Sequence, residues 1–119
     1  MPTLSITKLE CIKKRDPIGK DEIDIYVSAD DGTEVFLSGP HFLDKSNNDD
    51  EVQLSAVKPF SDKIRIRLKE RNGDRGGNND LDLGTKTVYA DEKQNVTYEH
   101  NFSAHDGGVL YTMDYKITP

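Results

Sequence analysis

The amino-acid sequence predicts an all-β fold, an eight-stranded antiparallel β-sandwich. Three observations favour this fold. Short runs of residues alternate between apolar and polar, with the period of two that is typical of strands. Gly, Pro, Asn and Asp interrupt these runs at intervals of roughly 8–12 residues. No segment shows an apolar period of about 3.6 residues over the length of a helix.

The first three predicted strands are defined by this alternation and by one tight turn. Apolar residues occupy alternate positions in the first strand, with a change of phase near Lys8 that is typical of a β-bulge. The second strand is indicated by Ile23, Ile25 and Val27, which alternate with polar residues. Asp31-Gly32 has the composition of a two-residue hairpin turn, and it predicts a reversal into the third strand.

The remaining five strands show the same pattern. The fourth carries Val52 and Leu54, and the fifth places arginines on its solvent side. The sixth is short, and alternate apolar or aromatic residues line one face of the seventh and eighth. The predicted strands are Thr3–Ile12, Ile23–Val27, Glu34–Leu37, Glu51–Val57, Ile64–Leu68, Thr85–Ala90, Val96–Phe102 and Tyr111–Ile117.

One hydrophobic core is expected, because 119 residues suffice for one domain, spanning residues 1–119. Cys11 is the single cysteine, which excludes an intrachain disulfide and predicts a buried thiol. We expect packing roles for the tyrosines at 89, 98, 111 and 115. The residues predicted to be buried are Leu4, Ile6, Ile23, Ile25, Val27, Ile64, Ile66, Leu68, Met113 and Tyr115.

Charge and hydropathy narrow the classes of partner. The net charge of −6 argues against nucleic acid. No stretch approaches the 18 or so apolar residues of a membrane span, so we expect no transmembrane segment and a soluble chain. The N-terminal residues enter a strand directly and show no signal peptide. The sequence assigns no compartment.

Acidic, glycine-rich segments occupy every second connection of the predicted sandwich. Because successive antiparallel strands run in opposite directions, these four loops are expected to meet at one end, the acidic pole. Their carboxylate and amide oxygens are the ligands that calcium prefers. The four segments are Arg15–Asp21, Gly39–Asp50, Arg71–Gly84 and Ala104–Gly108.

A conformational explanation of the same loops stays open. Asp, Asn and Gly are favoured in turns whatever their function. Basic residues in these loops offset part of the negative charge. The EF-hand pattern is not met, because Glu70–Asp74 is followed by neither the glycine nor the distal glutamate that this motif requires.

Two segments resemble C2 domains. Asp16–Val27 is similar to their first calcium loop and the strand after it, and Ile64–Glu70 followed by Asn79–Gly84 is similar to their sixth-to-seventh strand region. A first loop between strands one and two corresponds to the circular permutation called type II topology. The resemblance implies calcium ligands at Asp16, Asp21, Glu70, Asn72, and Asp80 or Asp82.

The chain also departs from the C2 pattern. The Asp-x-Asp pair of the third loop is replaced by Glu70-Arg-Asn72. The only apolar tips that the loops offer for membrane docking are Ile18 and Phe42-Leu43. No enzymatic activity is expected, for three reasons. His41, His100 and His105 lack metal-ligand spacing, no context supports Cys11 with a histidine as a thiol nucleophile, and a sandwich of 119 residues offers only a small groove for two-carboxylate chemistry.

Three functions therefore remain in competition. The first is a non-enzymatic calcium-binding C2-like module whose acidic pole docks lipid headgroups or a protein partner. The second is an ion-independent protein-interaction domain, such as an inhibitor, adhesin or toxin accessory domain. The third is a carbohydrate-binding sandwich.

Overall fold

Eight strands form two four-stranded antiparallel sheets in the computed structural model, which describes residues 1–13, 21–44, 50–71, 81–104 and 109–119. The first sheet has the order β4-β1-β8-β7, and the second has the order β3-β2-β5-β6. The strands are β1 (Thr3–Lys13), β2 (Asp21–Ala29), β3 (Val35–Leu43), β4 (Glu51–Pro59), β5 (Lys63–Arg71), β6 (Leu81–Tyr89), β7 (Tyr98–Ser103) and β8 (Leu110–Thr118). The predicted all-β sandwich is confirmed.

The core lies between the two sheets and is built by the period-two alternation. All ten residues predicted to be buried are buried, and so is Cys11. The bulge predicted near Lys8 is present, since the register of β1 shifts between Ile6 and Lys8 against both neighbouring strands. This shift returns Leu9 and Cys11 to the inner face after Ile6. Tyr89 is the exception among the tyrosines, because it is 50% exposed on an edge strand.

The turn between β2 and β3 is centred one residue earlier than predicted. Asp30 and Asp31 both have positive φ, 53° and 61°, and the Gly32 amide donates to the Ala29 carbonyl at 2.8 Å. Two central residues with positive φ are typical of a type I′ turn, and aspartate tolerates this conformation. Asp30-Asp31 therefore forms the turn that the composition of Asp31-Gly32 predicts one residue later.

Two edge strands are longer than the sequence predicts. Residues 39–43 belong to β3 and residues 81–84 belong to β6, although both stretches were assigned to loops. Glycine accounts for the difference, because Gly39 (φ 139°) and Gly84 (φ 101°) lie where the strand register shifts. Such bulges keep a strand paired across residues that interrupt its pattern.

Strand polarity brings four connections to one end of the sandwich. These are the connections after β1, β3, β5 and β7, and the short turns after β2, β4 and β6 lie at the opposite end. The central parts of the four acidic loops, residues 14–20, 45–49, 72–80 and 105–108, lie outside the described residues. In the described ranges we find no helix with the length and apolar character needed to cross a bilayer.

Candidate functional site

The predicted ion ligands divide into two groups. Asp16, Asn72 and Asp80 lie outside the described residues, and so does His105. The other three predicted ligands are placed by strands of the second sheet, with Asp21 at the start of β2, Glu70 near the end of β5 and Asp82 near the start of β6.

Asp21 and Glu70 are buried carboxylates at the acidic pole. Asp21 is 0% exposed and Glu70 is 2% exposed. Ile23 pairs with Glu70 across β2 and β5, so Asp21, two residues before Ile23, is the diagonal neighbour of Glu70 on the same inner face. Such diagonal neighbours are roughly 7–8 Å apart. The sheet thus brings two predicted ligands together directly at the end of the core.

Tyr111 joins Asp21 to the other sheet. Its hydroxyl, on β8, donates a hydrogen bond to Asp21 Oδ2 at 2.7 Å, and both side chains are fully buried. Burial, reinforced by this hydrogen bond, raises the pKa of Tyr111 far above its ordinary value. The phenol therefore remains a proton donor to the carboxylate over the whole neutral range. The alternation of β8 predicts a core position for Tyr111 but gives no sign of this contact.

Asp82 lies apart from this pair. It pairs with Lys69 on the outer face of the second sheet, where its carboxylate forms an ion pair with Arg67. Its other oxygen accepts a hydrogen bond from the Gly84 amide at 2.8 Å. Arg67 also donates to Glu34 at 2.9 Å, and this hydrogen bond together with the neighbouring carboxylates raises the pKa of Arg67. Asp82 is therefore engaged on the face opposite to Asp21 and Glu70.

Asp24 is a buried carboxylate that sequence reasoning missed. The alternation of β2 assigns it to the solvent side, yet its side chain is 1% exposed. Arg71 Nε donates to Asp24 Oδ2 at 2.5 Å, which raises the pKa of Arg71. Asp24 Oδ1 is buried against Gly39 and has no hydrogen-bond partner among the described residues. The burial of Asp24 depends on the register between β2 and β3, which the sequence pattern of β2 alone does not show.

The two described histidines, His41 and His100, lie in partly buried positions within strands. Ser38 Oγ and His41 Nε2 are 2.8 Å apart, and His41 lies opposite Ile23 on the inner side of β3. Burial lowers the pKa of both His41 and His100. The carboxylate near His41 is Asp24, but it is directed to the other face and bound to Arg71. The arrangement therefore does not form an acid–histidine–serine relay.

The chemistry of the buried pair fits a hard cation in part. Calcium takes six to eight oxygen ligands, and carboxylates from different strands can share it. Within the part of the chain that the structure describes, no group of three or more His, Cys, Asp or Glu side chains could hold a metal ion. Asp21 and Glu70 could thus supply part of a ligand set, and the rest would have to come from the loops above them.

The fold of the chain is similar to that of solved C2 domain structures. The chain is similar to a C2 domain structure with a TM-score of 0.56 and 17% identity, over 100% of both chains. It is also similar to a C2 domain of plant extended synaptotagmin 1, with a TM-score of 0.52 and 9% identity over 99% of this chain and 93% of that one. Neither a protein-family model nor a curated protein sequence matches. The likeness lies in the fold, and the fold is C2-like.

Proposed function

We propose that this chain is a non-enzymatic binding module that holds calcium at its acidic pole and thereby docks an anionic partner. The observation that carries the proposal is the pair of buried carboxylates, Asp21 and Glu70, on one inner face directly below the four loops. Burying two neighbouring carboxylates is costly unless positive charge or hydrogen-bond donors compensate them. A divalent cation is one such compensation.

The proposed ligand set combines the buried pair with loop residues. Asp16, Asn72 and Asp80 would complete it with oxygen donors from the first and third loops. We leave Asp82 out, because its carboxylate is held by Arg67 and the Gly84 amide on the outer face. The bound ion would supply positive charge at the pole, where an anionic group could share its coordination.

Lipid headgroups are the partner that we favour. Phe42 is 55% exposed near the pole end of β3, where it pairs with Glu22 on the outer face of the second sheet, and it provides an apolar contact at the same end of the sandwich as the proposed ion. Of the other two predicted tip residues, Leu43 is buried in the core and is not available for docking, and Ile18 lies outside the described residues. A bilayer whose phosphates reach the ion would therefore also meet, at the same end of the sandwich, an aromatic side chain that can enter its interfacial layer.

One observation favours an ion-independent interaction domain as the second candidate. Buried carboxylates already have partners within the protein, since Tyr111 donates to Asp21 and Arg71 donates to Asp24. If these bonds suffice to compensate the charge, the pole needs no ion. The sandwich would then act as a rigid scaffold for a protein partner.

Thermal melts in calcium and in chelator distinguish the two candidates. We expect 10 mM calcium to raise the melting temperature of the native sequence by several degrees, following the linkage between binding and stability. Asp21→Asn and Glu70→Gln should each lose most of this calcium-dependent increase. Asp91→Asn is the matched control, because Asp91 is exposed in the turn after β6 at the opposite end. Equal increases in all four proteins, or none in the native sequence, would reject the ion site.

Vesicle sedimentation tests the partner separately. Anionic vesicles should bind the domain in calcium and release it in chelator, whereas neutral vesicles should bind weakly. Phe42→Ser should weaken vesicle binding but leave the calcium-dependent increase in melting temperature unchanged. A domain that is stabilised by calcium but binds neither kind of vesicle would point to a protein partner instead.

A further inference from the structure

Tyr111 lies behind the proposed ion site and contacts one of its ligands. We propose that Tyr111 is a positioning residue that fixes the orientation of the Asp21 carboxylate for calcium binding. This inference rests on the proposed function, and it assigns to the second sheet's ion site a residue from the first sheet. The Tyr111 phenol is not itself proposed as a calcium ligand.

The phenol is held firmly by its own strand neighbours. Tyr111 pairs with Cys11 of β1 on one side and with Phe102 of β7 on the other, and all three side chains are buried. Its ring therefore has little freedom to follow Asp21 if the carboxylate rotates. The hydrogen bond of 2.7 Å to Asp21 Oδ2 crosses from one sheet to the other at the pole end of the core.

The hydrogen bond from Tyr111 does not by itself exclude an ion from Asp21. A carboxylate offers about four lone-pair sites on its two oxygens, and the phenol occupies one of them. With Oδ2 held, the orientation of Oδ1 is set as well, because the carboxylate group is planar. Partners that orient a metal-ligating side chain typically change metal affinity about 10–100-fold when they are removed. Tyr111 would be such an orienting partner for the Asp21 carboxylate.

Tyr111→Phe is the direct test, because it removes the hydroxyl and keeps the ring. We expect its calcium dissociation constant, measured by isothermal titration calorimetry, to be about 10-fold higher than that of the native sequence. Tyr115→Phe is the matched control, since Tyr115 is also buried on β8 but pairs with Tyr98 toward the opposite end. Its dissociation constant should stay unchanged within about twofold.

A measurement on the native sequence covers the case in which Tyr111→Phe fails to fold. With tyrosine labelled at Cζ with carbon-13, the Tyr111 resonance should move during a calcium titration, with the same midpoint as the calorimetric binding curve. The Tyr115 resonance should stay in place. A Tyr111 signal that does not respond while calorimetry reports binding would overturn the positioning role.

The outcomes separate this inference from the function on which it rests. If the native sequence binds no calcium, the proposed function fails and the positioning role fails with it. If the native sequence binds calcium and both Tyr→Phe variants match it, only the positioning role is rejected. Tighter binding by Tyr111→Phe would also reject it, because the phenol would then compete with the ion for Asp21.

Discussion

At the scale of single residues, Asp30 connects two turns at the end opposite to the acidic pole. Its carboxylate accepts backbone hydrogen bonds from Ser61 at 2.9 Å, Asp62 at 2.6 Å and Lys63 at 3.1 Å. These bonds, with that from Asp62 the strongest cause, lower the pKa of Asp30 below its ordinary 3.8. An exposed side chain thus holds the β2–β3 turn against the loop that precedes β5.

The pH dependence of stability should reveal this contact. Because the pKa of Asp30 is lower in the folded protein than in the unfolded chain, its contribution is complete above about pH 3.8 and disappears as the pH falls through the folded value. Asp30→Asn should therefore melt below the native sequence at pH 7, and the two melting temperatures should converge under strong acid. Asparagine accepts the positive φ of 53°, so the turn itself is retained.

Asp31→Asn provides the control for this prediction. Asp31 has a similar φ of 61°, but its exposed carboxylate makes an ion pair with Lys63 at 3.2 Å. Surface ion pairs of this kind contribute little. A loss of stability at pH 7 as large as that of Asp30→Asn would show that charge at the turn, and not the three backbone bonds, is responsible.

Residue-scale reasoning from sequence succeeds where a side chain's face decides its burial. Alternation correctly placed Ile66 and Met113 in the core. It failed for Asp24, because the approach of Gly39 on a neighbouring strand buries a side chain that points away from the core. Contacts of this kind depend on the register between strands, and register is not visible in a single strand's pattern.

At the scale of elements, the glycines in the edge strands β3 and β6 can be compared directly. Both have positive φ, which strains any other residue. A Cβ at Gly39 would lie 2.5 Å from Asp24 Oδ1 and 2.9 Å from the Ile23 carbonyl oxygen, whereas a Cβ at Gly84 would meet nothing within 4 Å. The two positions therefore share the backbone strain and differ in the steric clash.

Alanine at these positions should separate strain from clash. We expect Gly84→Ala to lower the free energy of unfolding by about 1–3 kcal/mol, the usual cost of a strained backbone conformation. Gly39→Ala should lower the free energy of unfolding by more than Gly84→Ala does, because the new Cβ must also displace the Asp24 carboxylate from Arg71. Urea denaturation measures both free energies of unfolding. Equal losses would mean that the β3 bulge can shift to avoid the clash with Asp24 at no cost in stability.

The central strand β5 gives a prediction for the core. Ile66 is fully buried between the sheets, so Ile66→Ala should lower the free energy of unfolding by about 2–5 kcal/mol. Arg65→Ala, the exposed neighbour on the opposite face, should change it by less than about 0.5 kcal/mol. A loss well below about 1 kcal/mol for Ile66→Ala would contradict the assignment of its face.

Element lengths were harder to predict than element types. All eight strands were found, but β3 and β6 extend across glycines that the pattern assigned to loops. A glycine can end a strand or form a bulge within it, and only the neighbouring strand decides between these outcomes. In the candidate site, the same limit applies to Asp21, which was expected in a loop and begins β2.

At the scale of the whole molecule, strand polarity is what makes an ion site conceivable. Residues far apart in sequence reach one pole because two sheets of alternating strands end there. This convergence followed from counting connections and required no knowledge of side-chain contacts. The outward orientation of Asp82 could not be obtained in that way, because the bulge in β6 lies between Asp82 and the rest of the strand.

Calcium should stabilise the molecule only moderately. The partial ligand set and the basic residues in the loops favour a dissociation constant of roughly 10⁻⁴–10⁻³ M, within the range of weak extracellular calcium modules. An ion that binds only the folded state adds RT ln(1 + [Ca²⁺]/Kd), so 10 mM calcium would add about 1.4–2.7 kcal/mol. The melting temperature should therefore rise with the logarithm of the calcium concentration above about 1 mM.

Magnesium provides the ionic control for that titration. It demands nearly octahedral geometry and loses its water reluctantly, so carboxylates fixed by a rigid sheet should bind it more weakly than calcium. At equal concentration, magnesium should raise the melting temperature by less than calcium does. Equal increases would indicate general screening of the net charge of −6. The acidic pole would then owe its composition to turn formation, and the buried Asp21 would be compensated within the protein, with Tyr111 as one of its donors.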